Sequence, residues 1–276
     1  MWDTLKQYGK ELAAEWEQDN VSSLAAALAY YATFSLVPSI LVLVAIGGML
    51  LNEADVQARV LLEVDRWLGV VAADLAREAL AGSKPASARM ASIVGAVAVI
   101  SGATQLFAQL QDALNRVWEV RPKGKGILVM LKRRALAFGI ILLFGVLLLV
   151  SFMAGAVLAV VNQLFGGYGL WELVVFGSTF ALIFKYFPAV KLEFRDVWLG
   201  AALTTVALMA SQSLFALYLS RASIASTYGA AGTLIAFLLW VYISAHVVLL
   251  GAEFTQVHAR LQGREIALDE DAERRF

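Results

Sequence analysis

Seven polar residues recur at helical spacing inside long apolar runs, and they mark where this chain could bind or move something. Gln105, Gln109, Asp112 and Arg116 fall every three or four residues and form one stripe along a helix. Tyr242, His246 and Glu253, spaced by four and then seven, share a face of a second helix. Hydrocarbon penalises such groups unless they face protein or water, so together they read as a candidate translocation cavity. An imidazole that titrates near neutral pH beside a carboxyl also admits a proton-linked role for His246 and Glu253. A bland reading stands beside each. His246 reads equally as a satisfied core histidine, Glu253 as a hydrogen-bond acceptor at the membrane boundary, and Asp112 and Arg116 as residues emerging at headgroup level. A third feature is Pro38, surrounded by Tyr31 and Ser35. Proline removes the amide that would bond the Phe34 carbonyl, so these residues form a candidate helix break.

Several chemistries are excluded by what the chain lacks. It has no Cys and only two His, His246 and His258, so thiolate metal sites, disulfides and a dense imidazole–carboxylate metal cluster are not expected. No phosphate-binding loop, nucleophile elbow or H-E-x-x-H pair occurs. The expectation is a protein that is not an enzyme and has no cofactor and no metal.

The elements that would position these residues are long and apolar. Hydrophobic residues make up 60% of the 276 positions and mean hydropathy is +0.73, which leaves too few polar groups to coat a water-soluble globule. Six runs are long enough for a helix to cross a hydrocarbon core of about 30 Å. They are residues 24–51, 91–107 continuing as helix to 118, 136–165, 170–187, 197–219 and 230–257. The absence of strict alternation favours helices over a barrel. The fold expected is therefore all-α, a polytopic membrane protein with six transmembrane helices.

Twenty-two basic and 22 acidic residues cancel, so only their distribution informs. Sixteen of the 22 Lys and Arg fall on one side of the alternating spans, including the run from Arg121 to Arg134. Only Arg59, Arg66, Arg77, Lys84, Arg89 and Arg221 fall on the other. The positive-inside rule then makes both termini cytoplasmic. Residues 1–23 form a cytoplasmic amphipathic segment, read either as an interfacial helix or as a cap packed on the bundle. Residues 24–257 are the six-helix domain, and within it 53–82 carry an apolar stripe of Val56, Val60, Val64, Trp67, Val71 and Leu75. That stripe predicts an extracytoplasmic amphipathic helix, divided at Gly69. Residues 258–276 are a charged cytoplasmic tail expected to fray.

Four segments carry a family resemblance: Ala27–Pro38 (ALAYYATFSLVP), Ala103–Val120 (ATQLFAQLQDALNRVWEV), Tyr186–Ala201 (YFPAVKLEFRDVWLGA) and Tyr228–Phe254 (YGAAGTLIAFLLWVYISAHVVLLGAEF). In them the chain resembles the YihY/BrkB family of bacterial inner-membrane proteins, also called UPF0761 or ribonuclease BN-like, over nearly its whole length. The resemblance implies six transmembrane helices in the bacterial inner membrane. It also brings the associations of that family with virulence or serum resistance, with envelope lipid traffic and with tRNA processing. The last conflicts with the residues, because the nuclease chemistry has no ligand set here and the basic loop is explained by topology and anionic headgroups. No nucleic-acid partner is expected. Two readings follow: a transporter or translocator of a lipid or small amphiphilic or polar solute, and a non-transporting envelope scaffold that binds a partner protein. Membrane lipids are partners in both.

Overall fold

The computed structural model describes residues 2–50, 53–68, 70–81, 105–123, 169–221, 230–264, 266–269 and 271–275. The third apolar run, residues 91–104 of the second, the turn at 82–87 and residues 124–125 of the basic loop lie outside the described residues.

Helices dominate. α1 (Trp2–Gln18) is separated from α2 (Val21–Leu50) by Asp19 and Asn20, and Asn20 takes a left-handed φ of 51°, which asparagine tolerates better than most residues. α2 runs as one helix of 30 residues through Pro38. A proline costs one ladder bond, and the bonds on either side carry the helix past it. Thr33 and Ser35 turn their hydroxyls back onto the Ala29 and Ala32 carbonyls, at 2.7 and 3.0 Å. α3 spans Glu53–Leu68 and α4 spans Val70–Ala81; Gly69, where the sequence divides them, lies outside the described residues. Val56, Val71 and Leu75 are buried while Arg59, Asp74 and Arg77 are exposed, so the apolar stripe faces inward as its period requires.

α5 (105–117) leads into β1 (Val120–Pro122). Then come α6 (Gly169–Tyr186), α7 (Phe194–Arg221), α8 (Ala230–Leu261) and β2 (Ala272–Arg274). Among the described residues, Phe194–Leu219 and Ala231–Leu261 are long and apolar enough to cross a membrane, and Leu173–Tyr186 is a shorter apolar helix. α7 exposes Trp198, Leu203, Val206, Leu214 and Leu217 along its length. A water-facing helix would carry charges at such positions, whereas a lipid-facing one carries these.

The chain forms two compact units: Met1–Val21, Leu110–Leu208 and Val247–Phe276 in the first, Ser22–Gln109 and Met209–His246 in the second. In the second, Phe215 stacks on Trp240 at 5.4 Å and Thr233 donates to Glu78 at 3.0 Å, joining α8 to α4. In the first, α7 and α8 touch through a reciprocal pair of small residues. A methyl at Gly200 would overlap the Thr255 hydroxyl and come within 3.0 Å of the Gly251 carbonyl oxygen, and one at Gly251 would overlap Thr204. Each threonine donates to the carbonyl of the glycine four residues before it, at 2.7 Å. The segments Leu199–Thr204 (LGAALT) and Leu250–Thr255 (LGAEFT) share that pattern, which suits close helix approach.

The tail corrects an expectation. Instead of fraying, it is laid along other segments of the first unit. Gly263, at φ 68°, ends α8 with bonds from its own amide to Arg260 O and from Arg264 N to Ala259 O, a glycine C-cap. Lys191 and Ala267, then Asp269 and Ala189, exchange backbone bonds around a Val190–Leu268 bridge. β2 pairs antiparallel with β1, placing Val120 opposite Arg274 and Pro122 opposite Ala272. The tail's charges find opposite charges: Arg264 pairs with Asp196, and Glu273 with Arg121 at 2.8 Å.

Candidate functional site

The polar residues of the first unit converge where α1 meets the end of α8. Tyr8 places its hydroxyl 2.9 Å from His258 Nδ1 and stacks on Phe254. Arg260 reaches back to Glu15 at 2.7 Å and to Glu11 at 3.4 Å. Tyr8, Glu11, Glu15 and Asp19 share one face of α1 by their spacing, so a single helix face supplies every contact. Of the two readings of residues 1–23, the packed cap is therefore the one the contacts favour.

Behind those contacts lie three buried carboxyls, Glu15, Asp19 and Glu253. Glu253 is 0% exposed, and no N–H or O–H donor reaches its carboxyl oxygens among the described residues; the group beside it is the Asp19 carboxyl. The charges that bear on it are Asp19 and Glu15, with Arg260 opposing. Asp19, 3% exposed, has one oxygen 3.8 Å from Arg116 Nε, while its Oδ2 has no partner among the described residues. Its pKa is raised from 3.8 to about 6. Burial is the main cause; Arg116 opposes it, and the negative charges of Glu15 and Glu119 add to it.

The sequence-marked residues are distributed between the two units. Arg116 and Glu253 both border Asp19, but they do not pair with each other: Arg116 is engaged by Asp19. Asp112 and Gln105 are exposed, and Gln109 is half-buried. His246 lies in the second unit with Tyr242, whose ring it meets edge-on at 4.3 Å and whose carbonyl accepts from its Nδ1 at 2.9 Å. That bond places a proton on Nδ1 and leaves Nε2, 3.4 Å away, for the Ser22 hydroxyl. Tyr31 packs edge-on against Tyr30.

Glu15, Asp19 and Asn115 are what the sequence reading missed. The four-residue spacing of Glu11, Glu15 and Asp19 was a visible signal of an acidic ridge. Asn115 gave none: its side-chain oxygen accepts from Ala189 N at 2.8 Å, while Gln111 donates to Phe187 O at 3.1 Å. Both satisfy the turn that follows α6. Among the described residues no group of three or more His, Asp or Glu is arranged to hold a metal ion.

The family model described as Virulence factor BrkB matches residues 12–275. The chain belongs to the BrkB family. It is 26% identical over 265 residues to a UPF0761 membrane protein of Alcanivorax borkumensis, an alignment covering 92% of this chain and 61% of that one. A UPF0761 membrane protein of Pseudomonas aeruginosa is 28% identical over 257 residues, covering 89% and 61%. One from Alteromonas mediterranea is 27% identical over 246 residues, covering 87% and 83%. The chain thus spans about three-fifths of the length of the first two relatives. No solved structure matches it. The relatives are named membrane proteins, and with the apolar helices described above this BrkB-family chain is a membrane protein.

Proposed function

We propose that this BrkB-family protein is a multipass protein of the bacterial inner membrane, with both termini cytoplasmic, that translocates a lipid or a small amphiphilic or polar solute. One observation carries the reading: Glu253 lies fully buried beside a second buried carboxyl, Asp19, with no N–H or O–H donor reaching it among the described residues, in a helix apolar enough to cross a membrane. Ionisable groups held at that cost in membrane helices commonly serve substrate or ion pathways. Arg116 and Asp19 extend the polar set on the same unit, and Gln105, Gln109, Asp112, Tyr242 and His246 supply further polar groups along α5 and α8. The chain has no ATPase motif, so movement is passive, ion-coupled or driven through a partner.

The test is reconstitution into vesicles with a fluorescent phospholipid in one leaflet, together with uptake of candidate solutes. Protein-dependent loss of leaflet asymmetry or protein-dependent uptake is expected. Vesicles indistinguishable from protein-free controls in both assays would contradict the reading. A scaffold role is the second reading, supported by the amphipathic α3–α4 pair, which exposes Leu62 and Val70. It predicts retention of an envelope protein that is lost on Leu62→Glu, with no translocation.

A further inference from the structure

The charges around the end of α8 do not balance among the described residues. α1 contributes Glu11, Glu15 and Asp19, and α8 contributes Glu253 and Arg260. The segment 116–119 contributes Arg116 and Glu119, and the tail contributes Arg275. Arg260 is taken by Glu15 and Glu11, and Arg116 lies on Asp19. Glu253 is left with carboxyls as its nearest charged neighbours, sealed from water and without a hydrogen-bond donor among the described residues. Adjacent buried carboxyls cannot both ionise cheaply, and the pair is accommodated when it keeps one proton.

We infer that Asp19 and Glu253 form a proton-binding site between α1 and α8, and that the proton held there latches α1 onto the end of α8. Asp19 closes α1 and Asn20 follows it in a left-handed conformation, so the site lies at the joint between α1 and α2. Release of α1 separates Asp19 from Glu253 and exposes both to water. This latch is independent of any transport activity, and its readout is structural.

The sign follows from Asp19, whose pKa is about 6 when docked against 3.8 ordinarily. The docked state binds the proton more tightly, so docking is strongest below about pH 4 and weakens as pH rises through about 6. Across that window the docking equilibrium falls roughly a hundredfold. Tyr8 and His258 also join α1 to α8, so that contact needs its own arm.

The experiment is amide hydrogen exchange on the full chain in lipid nanodiscs from about pH 4 to 8, with rates corrected for intrinsic exchange. In the wild type, protection of the amides of residues 8–18 should fall about a hundredfold or more between about pH 4 and 6. Asp19→Asn and Glu253→Gln should each make the profile shallower, because each leaves a single carboxyl that is exposed on release, and His258→Gln should leave the slope intact. Arg116→Gln removes the opposing positive charge and should move the window to higher pH. A flat wild-type profile overturns the inference, and so does an Asp19→Asn profile as steep as the wild type. Loss of the slope in His258→Gln overturns it as well, by assigning the titration to the histidine.

Discussion

Asn115 accepts the Ala189 amide inside the protein, and Arg116, the next residue, faces Asp19. Adjacent residues of one helix turn thus do different work, one holding a backbone turn and one balancing a buried charge. Asn115→Ala should strand a buried amide and cost about 1–3 kcal/mol, read as a lower Tm in detergent or nanodiscs. Arg116→Gln should destabilise by a similar amount at neutral pH, because Asp19 loses its counter-charge, and Asp19→Asn should recover most of the loss in the double variant. Additive losses in that double-mutant cycle would mean that Arg116 contributes through packing and not through Asp19. The pH dependence has a fixed sign: Asp19 favours the folded state most below about pH 4, and this contribution is lost as pH rises through about 6. Asp19→Asn should therefore raise Tm more at pH 7.5 than at pH 5.

α7 and α8 meet through Gly200, Thr204, Gly251 and Thr255, a contact with no room for a methyl. Gly200→Ala and Gly251→Ala should each cost about 1–3 kcal/mol from overpacking, more than alanine at Gly9, which has open space beside it. Equal thermal stability of Gly200→Ala and wild type would contradict the close approach. The elements themselves were largely legible from local pattern. Apolar length marks α2, α6, α7 and α8, and the apolar period with Gly69 marks α3 and α4. Pro38 removes one amide bond from α2, and the bonds around it carry the helix on. The tail misled because its charges read as solvated until Asp196 and Arg121, distant in sequence, are brought beside Arg264 and Glu273. Glu253 was legible as an unusual carboxyl in an apolar run, but its neighbour Asp19 lies 234 positions earlier, and no periodicity spans that separation.

For the whole molecule, the charge asymmetry sets a topology that reporters can read. Fusions at Met1, Lys123, Lys191 and Phe276 should report the cytoplasm, and those at Asp74, Gly167 and Ser223 the outside. An outside signal at Lys123 would overturn the six-span map, since that loop carries the densest basic cluster. The proposed translocation puts Glu253 on the substrate's path. Its most direct test is the rate of lipid or solute movement in vesicles for wild type and Glu253→Gln, each first shown to be monodisperse with an equal or higher Tm. The account predicts a loss of about tenfold or more in the variant. A folded Glu253→Gln protein that moves the same substrate at the wild-type rate would contradict it.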